Sequence, residues 1–162
     1  MSLIVGISAG ADSNFDMNKV KAYKHFTNKI WNAARFVLAN MEGFDPEKET
    51  PLTKTDEAIL QQAKTLAAEV TEDMEQLRLY LAAEKLYHYV WHTFADIVIE
   101  EAKPRLRNEN TEEKRSAQKM LYDLLVLQLK LLHPFIPFVT EAVWEQIPKK
   151  RHSLLMIEKW PV

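Results

Sequence analysis

Apolar residues recur at steps of three and four along most of the chain, the period of a helix packed on one side. From Val20 onward Tyr23, Phe26, Ile30, Ala34, Val37 and Met41 form one such stripe, and Asp16 stands where a helix cap belongs, so the spacing predicts a first helix over about residues 16 to 41. Gly43, Asp45, Pro46 and Pro51 interrupt the pattern and imply a loop of roughly a dozen residues, longer than most helix connections and therefore a candidate for function. Thr55, followed by Asp56 and Glu57, opens a second helix whose buried stripe reads Ile59, Ala63, Leu66, Val70, Met74 and Leu77. A third runs from about Tyr80 through Leu86, Val90, Phe94, Ile97 and Val98 to Lys103, where Pro104 ends it. Asn110 with Glu113 three residues on makes a capping box for a fourth, which carries Met120, Leu121, Leu124, Leu127, Leu131 and Leu132 and stops at His133-Pro134. Pro137 begins a short fifth helix with Val139, Val143 and Ile147, closed by Pro148. After the basic turn Lys149-Lys150-Arg151, the apolar tail from Leu154 to Trp160 is expected to lie extended against the helices.

Four long amphipathic helices and one short one, joined mostly by short turns, predict an all-α fold, an antiparallel helix bundle. The 162 residues suit one domain with a single continuous core. Residues 1–15 read as a connector, with Met1-Ser2-Leu3 as a cloning remnant, residues 16–148 as the bundle and 149–162 as a tail packed on it. The only glycines, Gly6, Gly10 and Gly43, leave no glycine-rich loop to cradle a phosphate. The absence of cysteine removes disulfides, thiolate metal sites and cysteine nucleophiles, and it fits a reducing compartment, with the cytoplasm as the expected location. No apolar run approaches the ~18 residues that span a bilayer, and the first residues lack the order of a signal peptide, so no membrane partner is expected. A monomer is expected.

Charge changes the picture more than composition does. The formal net charge of −2 does not advertise a polyanion ligand, but the charges are unevenly placed. Residues 16 to 40 hold Lys19, Lys21, Lys24, Lys29 and Arg35 against Asp16 alone, whereas residues 55 to 84 hold seven carboxylates against Lys64 and Arg78. On a helical wheel Lys21, Lys24, Asn28, Asn32 and Arg35 fall within a sector about 80° wide, opposite much of the apolar stripe and free of carboxylates. Lysine and arginine neutralise phosphates and asparagine amides read base edges, so this ridge suits an RNA backbone with a base or two presented; an ordinary solvated helix face has the same look. Phe36 lies beside Lys29 and off the stripe, where its ring either stacks an unpaired base or packs under the following loop near Phe44. Trp31, at the border of stripe and ridge, is assigned to the core.

Other constellations are weaker. His88 and His92 stand four apart with Glu84 one turn earlier, a spacing able to present metal ligands, yet nothing nearby completes a site and they read as packing or surface residues. Glu100-Glu101 and Glu112-Glu113 are solvated helix charges. No serine, histidine and aspartate set suggests nucleophilic catalysis.

The segment Asn28-Lys29-Ile30-Trp31-Asn32-Ala33-Ala34-Arg35-Phe36-Val37-Leu38 closely resembles the first helix of the anticodon-binding domain of valyl-tRNA synthetases. Asn14-Phe15-Asp16 is similar to that family's exit from the catalytic core, and Lys130 to Trp144, reading KLLHPFIPFVTEAVW, resembles the fourth-to-fifth helix junction shared by the synthetases for valine, isoleucine and leucine. Ala102-Lys103-Pro104-Arg105-Leu106 and Trp160-Pro161 also fit, while Asp96-Ile97-Val98-Ile99-Glu100 departs from the Asp-Trp-Tyr often found there. The resemblance covers nearly the whole chain from Gly10 onward, and it implies the helical anticodon-binding fold of class Ia synthetases.

Its functional implication is a module that holds the anticodon stem-loop of a valine tRNA while catalytic and editing domains elsewhere in a parent chain do the chemistry. The ATP-handling signatures HIGH and KMSKS are absent here, so no catalytic residue and no cofactor are expected in this chain, ATP and Mg belonging to the parent. By the same implication Asn28, Lys29, Asn32, Arg35 and Phe36 contact the loop, helped by Phe44 and Lys48 in the long loop that follows; the ridge itself, apart from the resemblance, suggests Lys21 and Lys24 for phosphates. The competing expectations are a helical protein-interaction bundle without an RNA role and the equivalent domain of an isoleucyl- or leucyl-tRNA synthetase.

Overall fold

A computed structural model describes residues 1, 4–5, 17–108, 111–148, 150 and 153–161. Helices α1 (Met17–Ala39) and α2 (Lys54–Glu75) are followed by a long helical run made of α3 (Leu79–His88), a π-helical stretch (Tyr89–Val98) and α4 (Ile99–Arg107). Then come α5 (Thr111–Leu132), the short α6 (Pro137–Trp144) and a single 3-10 turn (Leu155–Ile157). No strand occurs among the described residues. The expected caps at Asp16 and Asn110 lie outside the described residues, as does most of the expected 1–15 connector.

Contacts between elements set the directions. Val37, near the end of α1, shares a buried cluster with Met120, near the start of α5, Phe26 shares the other with Leu131, and Gln118 of α5 reaches the carbonyls of Asn40 and Glu42, so α1 and α5 are antiparallel; Asp56 meets Arg105 and Asp73 meets Lys85, so α2 runs against the α3–α4 run. The chain therefore goes up, down, up and down, the antiparallel bundle expected from the stripes.

Buried residues fall into two clusters rather than the single core expected. One gathers Val37, Phe94, Met120, Leu124 and Trp144; the other gathers Phe26, Val70, Leu86, Leu131 and Phe135; half-buried Tyr89 and Leu127 pack against both. The Tyr89 hydroxyl is buried with no hydrogen-bond partner among the described residues, and burial pushes its pKa up to about 12.

Local chemistry explains the helix ends. At the end of α1 the Asn40 side chain donates to Phe36 O at 2.8 Å, and Gln118 from α5 donates to the carbonyls of Asn40 and Glu42, satisfying oxygens that the helix leaves open. Gly43 then turns the chain at φ 72°, a conformation that suits glycine. Helix α2 begins at Lys54, one residue before the expected Thr55: Thr53 caps it by accepting from the Asp56 N–H at 3.2 Å. It also ends early. Leu77, expected in the buried stripe, is 77% exposed with φ 58°, because the Arg78 N–H bonds to Asp73 O and the Arg78 guanidinium to the Asp73 carboxylate, which closes the helix before Leu77 can turn inward.

The third helix differs most from expectation. Pro104 does not end it, since the helix continues to Arg107: Ala102 and Leu106 are buried on either side while Pro104 faces solvent, so the missing donor falls on the wet side and tertiary contacts carry the turn across it. Among its buried residues Ala82, Leu86, Val90, Phe94, Val98, Ala102 and Leu106 form a row at steps of four, with Ala83 and Ile99 buried beside it. In an all-α helix such a row creeps around the axis by about 40° per step. The wider π turns, whose end is marked by the Ile99 N–H bonding Phe94 O five residues back, reverse that creep and keep the row on the bundle.

The described tail residues include one turn of 3-10 helix, Leu155–Ile157. Leu155 is buried and its N–H donates to the Glu141 carboxylate at 2.9 Å, Lys130 pairs with Glu158 at 2.8 Å, and the Trp160 indole N–H donates to Thr71 Oγ1 at 2.8 Å.

Candidate nucleic-acid interface

Because Phe26, Ile30, Ala33, Ala34 and Val37 pin one side of α1 into the bundle, the other side must face water. Lys21, Lys24, Asn28, Asn32 and Arg35 are all exposed, in one row that spans about 21 Å of helix. Among the described residues none of the three cations takes part in an ion pair, and no carboxylate from another element reaches the row.

The remaining expected contacts are placed differently. Lys29 is half-buried: its ammonium is paired with the Asp96 carboxylate and lies 4.6 Å from the centre of the Trp91 ring, so it bridges α1 to the π-helical stretch. Phe36 is half-buried against the first cluster, with the Lys103 ammonium 5.6 Å from its ring centre. Phe44 packs on Tyr122 with ring centres 5.6 Å apart, and Lys48 is exposed on a turn closed by its N–H to Asp45 O.

Arg115, which the spacing does not single out, shares with Phe44 and Lys48 a small pocket of about 170 Å³ under the loop. No local pattern could flag it, because only the return of α5 beneath the loop puts it there.

The acidic side of the molecule is built the other way. Asp56 is fully buried and accepts from Arg105 at 2.8 Å, from Ser116 and from the Thr53 N-cap region; burial alone would raise its pKa, but the hydrogen bonds from Arg105, Ser116 and Thr53 and the Arg105 charge outweigh this and hold it below the usual carboxylate range. Asp73 is likewise buried and held low by Lys85 at 2.9 Å and Arg78 at 2.8 Å despite desolvation. His88 and His92 are exposed with stacked rings 5.7 Å apart, and His92 faces Asp96 at 3.6 Å; among the described residues no group of three or more potential ligands converges.

A helical bundle with one bare cationic ridge is the form of a nucleic-acid-binding module, and residues 56–162 match the family described as the anticodon-binding domain of tRNA ligase. The chain belongs to that family. It is 40% identical, over 99% of its length, to a valine–tRNA ligase of Thermotoga maritima, 37% identical over 98% to one of Carboxydothermus hydrogenoformans, and 38% identical over 94% to one of Geobacter sulfurreducens. In each case it spans 18% of the relative's length. The relatives' alignments take in α1 and the loop after it, which precede the family match. No helix among the described residues is long and apolar enough to cross a membrane.

Proposed function

We propose that this chain is the part of a valine–tRNA ligase that grips the anticodon stem and loop of a valine tRNA, with residues 16–148 as the gripping body, 1–15 as the connector and 149–162 as its packed tail. The observation that carries this reading is the carboxylate-free row Lys21, Lys24, Asn28, Asn32 and Arg35 on the open side of α1, in a chain covered almost end to end by valine–tRNA ligases. Lys21, Lys24 and Arg35 meet phosphates; Asn28 and Asn32 meet base edges. Phe36 offers the open part of its ring to a splayed loop base, and Phe44 and Lys48 bound the loop's path beyond the end of α1. Lys29 reaches a phosphate only by releasing Asp96, so it ranks behind Arg35.

The chain acts as a cytoplasmic monomer by positioning, not by making bonds, and needs no cofactor of its own; ATP and Mg belong to the ligase chemistry outside these 162 residues. The test is binding of the purified chain to a valine-tRNA anticodon hairpin and to the same hairpin with its anticodon bases replaced. Preference for the first supports the reading, and equal affinity for both, or no binding to either, overturns it. ATP–pyrophosphate exchange with valine above a blank preparation would overturn the non-catalytic part.

A further inference from the structure

An open groove adjoins the ridge. It has a volume of about 670 Å³ and lies between α1, which contributes Thr27, Asn28 and Trp31, and the junction of α5 and α6, which contributes Phe135, Pro137 and Phe138. Phe138 is 91% exposed, a large ring standing in water on the groove's outer wall. Trp31 is half-buried, packed on the first cluster while lining the groove.

The surroundings select the occupant. Lys24, Asn28, Trp31 and Arg35 stand at steps of four, three and four along α1, so they are successive neighbours on one helix face. The groove's α1 side is therefore bracketed by an exposed cation one turn before and one turn after, and no carboxylate lines it. Lining it are the rings of Trp31, Phe135 and Phe138, the Asn28 amide, which both donates and accepts, and the Thr27 hydroxyl, which already donates to Lys24 O at 2.8 Å and is left to accept. On the far side of Phe138 lies a second groove of about 400 Å³ with Leu154 and Met156 on its wall, but there Glu141 and Glu145 repel phosphate. An aromatic slot flanked by cations on one side only fits a nucleotide entering from α1.

We propose that this groove takes an unstacked base of the bound RNA, with Phe138 as its stacking platform, Trp31 as the opposite wall and Asn28 reading the base edge. The proposal rests on the RNA-binding reading above and adds a second contact about 10 Å along α1 from Arg35.

The test uses the 162-residue chain and an anticodon hairpin carrying 2-aminopurine at successive loop positions, since stacking on a ring quenches that base. Binding is expected to quench one position, and Phe138→Ala to abolish that quenching and weaken binding about 10-fold with the salt dependence unchanged. Phe138→Trp should retain both, and Met156→Ala, in the acid-lined groove, should change neither. Because Phe138 is almost wholly exposed, these variants keep the fold, as circular dichroism checks. If Phe138→Ala binds and quenches like the parent while Arg35→Ala still weakens binding, the groove holds no base and only this proposal falls. If the chain binds no hairpin, the RNA reading falls and takes the groove with it. Self-association of the parent chain that Phe138→Ala dissolves, with RNA binding unaltered, would make the groove a protein-docking face and overturn the proposal.

Discussion

Helix α1 and the helix that follows it are both rich in charge, yet they use it in opposite ways. On α2 the two buried carboxylates are each enclosed by cations from elsewhere in the chain, Asp56 by Arg105 and Asp73 by Arg78 and Lys85. Those charges hold the bundle together and are closed to any outside partner. On α1 the charges of Lys21, Lys24 and Arg35 are matched by nothing among the described residues, and only Lys29, at the edge of the row, is bound to an acid. Net charge hides this difference, because the −2 of the whole chain does not distinguish carboxylates enclosed by cations from cations that meet no acid. What matters for an anionic partner is which charges are still free.

If that contrast is right, removing a charge from each region should damage a different property. The largest expected effect is Asp56→Ala, which leaves the Arg105 guanidinium facing an apolar contact: about 3 kcal/mol of folding stability is lost in urea unfolding, at the lower end for a broken buried pair because Arg105 keeps part of its side chain in water. Hairpin affinity per folded molecule should be unchanged.

Next is Phe36→Ala, expected to weaken hairpin binding by about 1 to 3 kcal/mol in a titration while leaving its salt dependence intact, since no charge is removed. The ring is also packed on the first cluster, so a stability loss of about 1 kcal/mol accompanies it, and affinity must be compared on folded protein.

Acid should reveal the two buried carboxylates. Both have folded-state pKa values below the ordinary 3.8, so the unfolded chain takes up protons first; their contribution is complete above about pH 4 and is lost as pH falls below that value toward the folded ones. Melting temperature measured from pH 6 to pH 2 should drop most steeply below pH 4, and the drop should be shallower in Asp56→Asn.

The smallest effect is expected at the boundary between the regions. Asp96→Asn frees Lys29, costs under about 1 kcal/mol of stability because Asp96 is largely exposed, and slightly strengthens hairpin binding by returning a cation to the row; weaker binding would mean that the pair itself orients the interface.

The two regions also differ in how readable they are. The row on α1 and the stripe behind it follow from local spacing, and the structure puts Lys21, Lys24, Asn28, Asn32 and Arg35 on the open face that the wheel gives them. Helix order and the short α6 are legible for the same reason. What escaped depends on residues far apart in sequence. Asp56 looks like an ordinary first-turn acid until Arg105 arrives from 49 residues away, Lys29 looks free until Asp96 arrives from 67 away, and Leu77 looks buried until Asp73 closes the helix around Arg78. The π-helical stretch leaves no mark on a three-and-four pattern, since its purpose is to keep steps of four in line. Spacing alone does not decide between packing and display for Phe36, whose ring is half-buried against the first cluster.

The most direct test of the contrast removes one positive charge from each region and follows hairpin binding against salt. For the parent chain affinity should fall steeply as salt rises, and Arg35→Ala should flatten the log-log slope by about 0.7, the share of one single-stranded phosphate contact. Lys64→Ala, which takes the same charge from the exposed side of α2, should leave the slope where it was. Equal slopes for the two variants would mean that α1 carries no phosphate contact at Arg35 and that its bare ridge is only a solvated surface.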